Sequence, residues 1–249
     1  HHFMKLTKTF DFSKFYPVLF EGGLKPNDIV ELNGDVDCCK SLLLIELISQ
    51  TILPKDFGGL NTGILLFNID GNICFKTVVC TLREKIRNTS GDVNNMSDII
   101  EKALSKLYLL NIFDSEQFQT TIENLENILA DNPVISLIAL DTLTAFYWSE
   151  QQFKLTKMDL YLKSYLKSIQ KSTQEQKLPI IYTRPLYFGS RHDITKRLDA
   201  TFDYITHRLN ISKNCNDNGI SYEVIKQSHN SLDVKYFTIN NSLIEWIVD

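Results

Sequence analysis

The stretch GDVDCCKS, residues 34–41, decides how the rest of this sequence is read. Its frame is glycine, four residues, a place for a small residue, then lysine and a hydroxyl. That is the spacing of a loop whose backbone N–H groups cradle phosphates, with the lysine reaching the β and γ phosphates and the hydroxyl ligating Mg²⁺. Two features depart from the pattern. Cys39 stands where glycine is wanted, and Asp35 and Asp37 place two negative charges where a triphosphate would lie. A Cβ at a position that needs a left-handed backbone costs about 1–2 kcal/mol. An aspartate about 8 Å from one phosphate charge costs roughly 2 kcal/mol at an effective dielectric near 20. The loop therefore reads as a nucleotide site that holds ATP and Mg²⁺ weakly, unless the metal or a neighbouring lysine offsets the aspartates.

The context supports the frame. The alternating segment DIVELNG (28–34) delivers the chain into the loop, and SLLLIELISQTIL (41–53) leaves it with helical spacing and is closed by Pro54. A helix beginning at Lys40 would turn its N-terminal partial charge toward an anion. Further on, PVISLIALD (133–141) is an apolar strand ending in Asp141, where a carboxylate directed at magnesium belongs.

Outward from the loop, apolar runs of strand length at 63–70, 108–113, 133–141 and 178–183 alternate with helical patterns at 74–87, 96–107, 115–130 and 158–177. Ser115 is the expected N-cap of the third of these helices. Strands that are apolar on both faces and alternate with helices indicate a mostly parallel sheet covered on both sides. After residue 200 the pattern changes to short strands, with the turn-like NDNG at 216–219 between the first two. These read as antiparallel hairpins at the sheet edge. The aromatic-rich opening, residues 1–22, reads as a tag remnant (His1-His2, with Met4 as the native start) followed by a linker arm. Residues 23–249 then form one α/β core.

Composition narrows the function. The 249 residues are 43% apolar, enough for a full core, and carry a net charge of −4. Nucleic-acid contact would therefore come from a local patch. No apolar run approaches the roughly 20 residues that cross a bilayer, and no signal peptide opens the chain, so no membrane partner is expected. The five cysteines include the adjacent Cys38 and Cys39 but no C-x-x-C pair, which argues against a zinc site or disulfide framework and for a reducing compartment.

Four stretches carry a resemblance: GLKPNDIVELNG ahead of the loop, ILPKDFGGL (52–60), FNIDGN (67–72) and above all LIALDTLTAFYW (137–148). They are similar to the RecA-like eukaryotic recombinase family, and more closely to one of its short paralogues, from about Phe15 to the C-terminus. The resemblance implies a RecA-like P-loop ATPase core with C-terminal hairpins and no N-terminal helical DNA-binding domain. It places Gly34, Lys40 and Ser41 in the nucleotide loop and Asp141 at magnesium. Asp70 falls where active recombinases carry the glutamate that polarises the attacking water, one methylene too short. Pro185 falls where they carry a γ-phosphate-sensing glutamine. With Cys39, these are three departures in one catalytic apparatus, and they argue that hydrolysis is not what this chain supplies. The resemblance further implies a nuclear subunit of a complex with another recombinase paralogue, supporting recombinase filaments on single-stranded DNA in homologous recombination and double-strand break repair. The alternative is a DNA-stimulated ATPase that hydrolyses ATP itself.

Three other features have two readings each. Phe10, Phe12, Phe15, Tyr16 and Phe20 crowd eleven residues; they fold back on the sheet edge, or they dock a partner as the family's Phe-x-x-Ala segment does. Lys163, Lys167 and Lys171 line one helix face, either as a solvated surface or as a phosphate-backbone contact. The segment 184–197 holds Arg184, Arg191, Lys196 and Arg197 around Tyr187 and Phe188, either as an ordinary short basic loop or as a mix suited to single-stranded or branched DNA.

Overall fold

The computed structural model of the chain describes residues 9–69, 71, 73–152, 157–186, 204–229 and 231–248. Among these, the order of elements is β1 (Ile29–Gly34), α1 (Lys40–Ile52), a 3-10 turn (Lys55–Phe57), β2 (Gly63–Ile69), α2 (Phe75–Ser90), α3 (Met96–Leu104) and β3 (Leu107–Ile112). Then follow α4 (Ser115–Glu123), α5 (Leu125–Asp131), β4 (Ile135–Asp141), α6 (Tyr147–Glu150), α7 (Met158–Ser172) and β5 (Ile180–Pro185). The chain closes with β6 (His207–Asn216), β7 (Gly219–Ser228), β8 (Ser231–Asn240) and β9 (Leu243–Ile247).

All nine strands join one sheet in the order β3-β2-β4-β5-β1-β6-β7-β8-β9. The first six in that order run parallel, and β7, β8 and β9 add antiparallel. This is the α/β architecture expected of a RecA-like core. Alternation along the strands splits the core in two. Val30, Leu32, Ile64, Leu66, Leu137 and Ala139 face α1, α2 and α3. Ile29, Leu65, Phe67 and Leu140 face α4, α5 and α7. Burial on both faces is why β2 and β4 read as unbroken apolar runs.

Several local expectations are corrected. The helix expected over 115–130 is two, broken at Asn124, whose side chain accepts from Asn127 Nδ2 at 2.7 Å. Asparagine competes with helical bonding in this way and favours turns. The N-cap is Asp114, whose Oδ1 accepts from Gln117 N at 2.7 Å, and Ser115 is the first helical residue. The helix expected over 158–177 stops at Ser172, because the polar run beyond it turns through Lys177 at φ 53°. β6 forms the expected antiparallel hairpin with β7, but its other side pairs parallel to β1, Gly34 opposite Ile211. The long connection from β5 allows the crossover that a parallel neighbour requires. The short α6 was not foreseen.

The described part of the expected arm lies in the core. Phe12, Phe15, Leu19 and Phe20 are buried in the cluster that includes α1, β6 and β8, and Phe10 packs on Phe12 at a centroid distance of 4.7 Å. For these aromatics the fold-back reading describes the geometry.

Candidate nucleotide loop and its surroundings

In a parallel sheet of this kind, the strand ends that carry the chain into loops line a crevice along one edge. Here β1 delivers the loop 35–39, β4 delivers Asp141 and β5 delivers Arg184 and Pro185 to that edge. Gly34 is required by close approach, since a Cβ there would sit 2.4 Å from both Cys38 Sγ and the Ile211 carbonyl oxygen. Cys39, next to the helix, has φ 65° and ψ 29°. The loop thus keeps the left-handed turn of the glycine-bearing pattern with a cysteine in it, and Cys39 carries the strain. Cys39→Gly is expected to raise stability by about 0.5–1 kcal/mol, the relief of the left-handed Cβ partly offset by glycine's greater chain entropy. Thermal unfolding of the two chains measures it.

Lys40 is nearly buried, and its ammonium donates to the loop's own carbonyls, Gly34 O at 2.7 Å and Asp35 O at 2.6 Å. Ser41 Oγ donates to Asp141 Oδ2 at 3.1 Å, bringing the two magnesium-directed groups together across one hundred residues of sequence. Asp141, 1% exposed, is held further by Thr142 Oγ1 at 2.9 Å and by Thr183 Oγ1, both donating to Oδ1. These residues fit a magnesium nucleotide: Lys40 would meet the phosphates, while Ser41 and Asp141 would hold the metal. Pro185, which the resemblance sets where recombinases carry the γ-phosphate-sensing glutamine, ends β5, and Asp70 lies outside the described residues.

The structure also joins residues that the sequence left separate. Glu31, on the middle of β1, is 1% exposed and accepts from the Tyr182 hydroxyl, from Asn33 Nδ2 at 2.9 Å and from Arg208 Nε at 3.1 Å. Arg184 Nη1 lies 3.7 Å from Glu31 Oε2 and 3.1 Å from Asp159 Oδ1. Burial pushes the Glu31 carboxyl up, but Arg184, Arg208 and the hydrogen bonds from Tyr182 and Asn33 outweigh it and hold it below its ordinary range. Arg184, read from sequence as a DNA contact, is therefore 5% exposed and engaged by two carboxylates. A β5 side chain on this face meets its neighbours on β1 before it meets solvent. Arg191, Lys196 and Arg197 lie outside the described residues, as do Tyr187 and Phe188. Lys167 and Lys171 are exposed on α7, and Lys163 is half-buried.

Two groups that the sequence did not single out reach the loop from the C-terminal hairpin. Lys213 Nζ is 3.6 Å from Asp37 Oδ2. Tyr222, opposite Lys213 on β7, lies against Cys39; that sulfur first, then burial, pushes the phenol up to about 12. The five cysteines are free, and among the described residues no cluster of histidine, cysteine and carboxylate could hold a metal ion. No described helix is long and apolar enough to cross a membrane.

No protein-family model matches the chain. A curated relative does, and the matched stretch spans 42% of that protein's length. Over 124 residues, 50% of this chain, the sequence is 28% identical to DNA repair protein XRCC2 of Mus musculus, the kind of short recombinase paralogue to which the residues around the loop and Asp141 point.

Proposed function

We propose that this chain is a non-catalytic or weakly nucleotide-binding subunit of a DNA-repair complex, pairing with another recombinase paralogue. In this reading it acts in the nucleus and supports recombinase filaments on single-stranded DNA during homologous recombination and double-strand break repair. The observation that carries the reading is a phosphate loop that keeps its backbone shape and its Ser41–Asp141 pair but seats Lys40 on its own carbonyls. The similarity to a DNA repair protein supports the process. DNA, single-stranded or branched, is bound mainly as part of the complex, since Arg184 is already paired within the fold.

The sheet supports a partner. Among the described residues β3 pairs only with β2, so its outer edge offers backbone groups to an added strand. Phe113, just past that strand, is 80% exposed. An apolar segment of the paralogue docks there in this reading, giving a hetero-complex instead of a self-assembled filament.

Two measurements test it together. Calorimetric titration of the purified chain with MgATP should give a dissociation constant weaker than micromolar, and steady-state turnover on single-stranded DNA should be negligible. Turnover that disappears in Asp141→Asn would establish the ATPase alternative. Sedimentation with and without a candidate paralogue should show a discrete hetero-complex that binds DNA better than the chain alone. Regular homopolymers on DNA with ATP, indifferent to the paralogue, would refute the subunit reading.

A further inference from the structure

The C-terminal hairpin grips the phosphate loop at two points, and one of them bears on what the loop can bind. β6 runs parallel to β1 with Ile211 opposite Gly34, close enough that only a glycine fits. Leu209 and Ile211 face the core beside α1, and strand alternation puts Lys213 on that same side, two residues further along. Lys213 therefore extends past the end of β1, beside the loop, where its ammonium pairs with Asp37. On the adjacent strand Tyr222 meets Cys39. Among the described residues, two cations at the loop are thus held by the loop itself, Lys40 by the Gly34 and Asp35 carbonyls and Lys213 by the Asp37 carboxylate.

We propose that Lys213 is a second phosphate-directed cation of this site and that Asp37 is its internal competitor, an acidic stand-in for the nucleotide's phosphates. The inference rests on the loop being a nucleotide site. Asp37 weakens binding in two ways, by repelling the phosphates and by detaining the lysine that would meet them. Asp35 acts only in the first way, because the group it offers to a lysine is its backbone carbonyl, which any residue supplies. The Asp37 side chain is 72% exposed and that of Lys213 is 29% exposed, so the pair is one that water screens and an anion can displace. The charges around the loop are thereby asymmetric: the Asp37 carboxylate is linked to Lys213 and that of Asp35 is not.

Titration with MgADP separates these effects, using the full chain and four substitutions. Asp37→Asn is expected to tighten binding about tenfold, and the same substitution in a Lys213→Ala background only about threefold, the part due to repulsion alone. Asp35→Asn is expected to give the same gain in both backgrounds. Lys213→Ala alone should weaken binding about threefold, and Lys213→Arg should restore it. An equal gain from Asp37→Asn with and without Lys213 would overturn the proposal while leaving the nucleotide loop standing. If no variant binds MgADP up to millimolar concentration, the nucleotide reading falls and this proposal falls with it. Thermal unfolding without nucleotide checks that each variant is folded.

Discussion

Glu31→Gln is expected to destabilise the protein by about 3 kcal/mol, a large share of the roughly 5–15 kcal/mol that keeps a domain folded. Glu31 is the carboxylate shared by two largely buried arginines, Arg184 and Arg208, with side-chain exposures of 6% and 12%. Neutralising it removes from both guanidinium groups the buried charge of Glu31 that offsets their desolvation. Arg184 retains Asp159, but that carboxylate is 81% exposed and screened by water. The pH dependence follows in sign. Glu31 is held below its ordinary value of 4.5 in the folded protein, so its contribution is complete above the unfolded carboxyl's range. It is lost as pH falls through the lower folded value. The stability gap between the native chain and Glu31→Gln should therefore be constant at neutral pH and narrow below 4.5. Urea unfolding across that range measures it, and a gap that widens with acid would show that Glu31 is not the counter-ion.

The order of legibility in this sequence has a physical basis. That Gly34, Lys40, Ser41 and Asp141 would meet at one end of the sheet could be read in advance because the loop is local, and because a carboxylate closing an apolar strand marks the end of β4. The parallel core was legible for a related reason: double-sided burial leaves β2 and β4 apolar at every position but Gly63, Asn68, Ser136 and Asp141. Contacts made by register were not legible. Glu31 meets Tyr182 and Arg208 because β1 lies between β5 and β6 with these residues directly opposite. Nothing local in DIVELNG or THRLN indicates that pairing. A signal existed all the same: an acid inside a strand that must be covered on both faces needs a cation, and Arg184 and Arg208 each sit one residue from the end of a strand. The parallel direction of β6 was hidden for the same reason. A strand's partner is set by where its connection crosses, and the residues of β6 resemble those of β7. Lys213 and Tyr222 became visible as loop contacts only once β6 and β7 were placed.

Phe20→Ala is expected to cost about 3–5 kcal/mol, the range for emptying a fully buried aromatic site. Phe20 is 0% exposed, stacks on Phe15 at 5.5 Å and meets the His207 ring of β6 edge-on at 5.2 Å. The segment around it is also hydrogen-bonded into the fold. Tyr16 OH donates to Glu46 Oε1 of α1 at 3.2 Å and accepts from Trp246 Nε1 of β9 at 2.8 Å. Gly23 closes the segment against Phe12, whose carbonyl oxygen would lie 1.8 Å from an added Cβ. The arm therefore joins α1 to both ends of the C-terminal strands, β6 and β9, and its removal would uncover the apolar face that those elements share. Exposing a patch of that size favours association, so a chain lacking residues 9–22 should be recovered mainly as aggregate. The half-buried Phe10 supplies the internal comparison, and its replacement by alanine should cost only about 1 kcal/mol, in proportion to the smaller area it covers. Chemical unfolding of the two single variants distinguishes a core segment from a docking arm. A docking arm predicts that Phe20→Ala leaves the unfolding midpoint unchanged and instead releases a partner paralogue. A core segment predicts a lowered midpoint in the isolated chain, with partner binding lost only in proportion to the unfolded fraction.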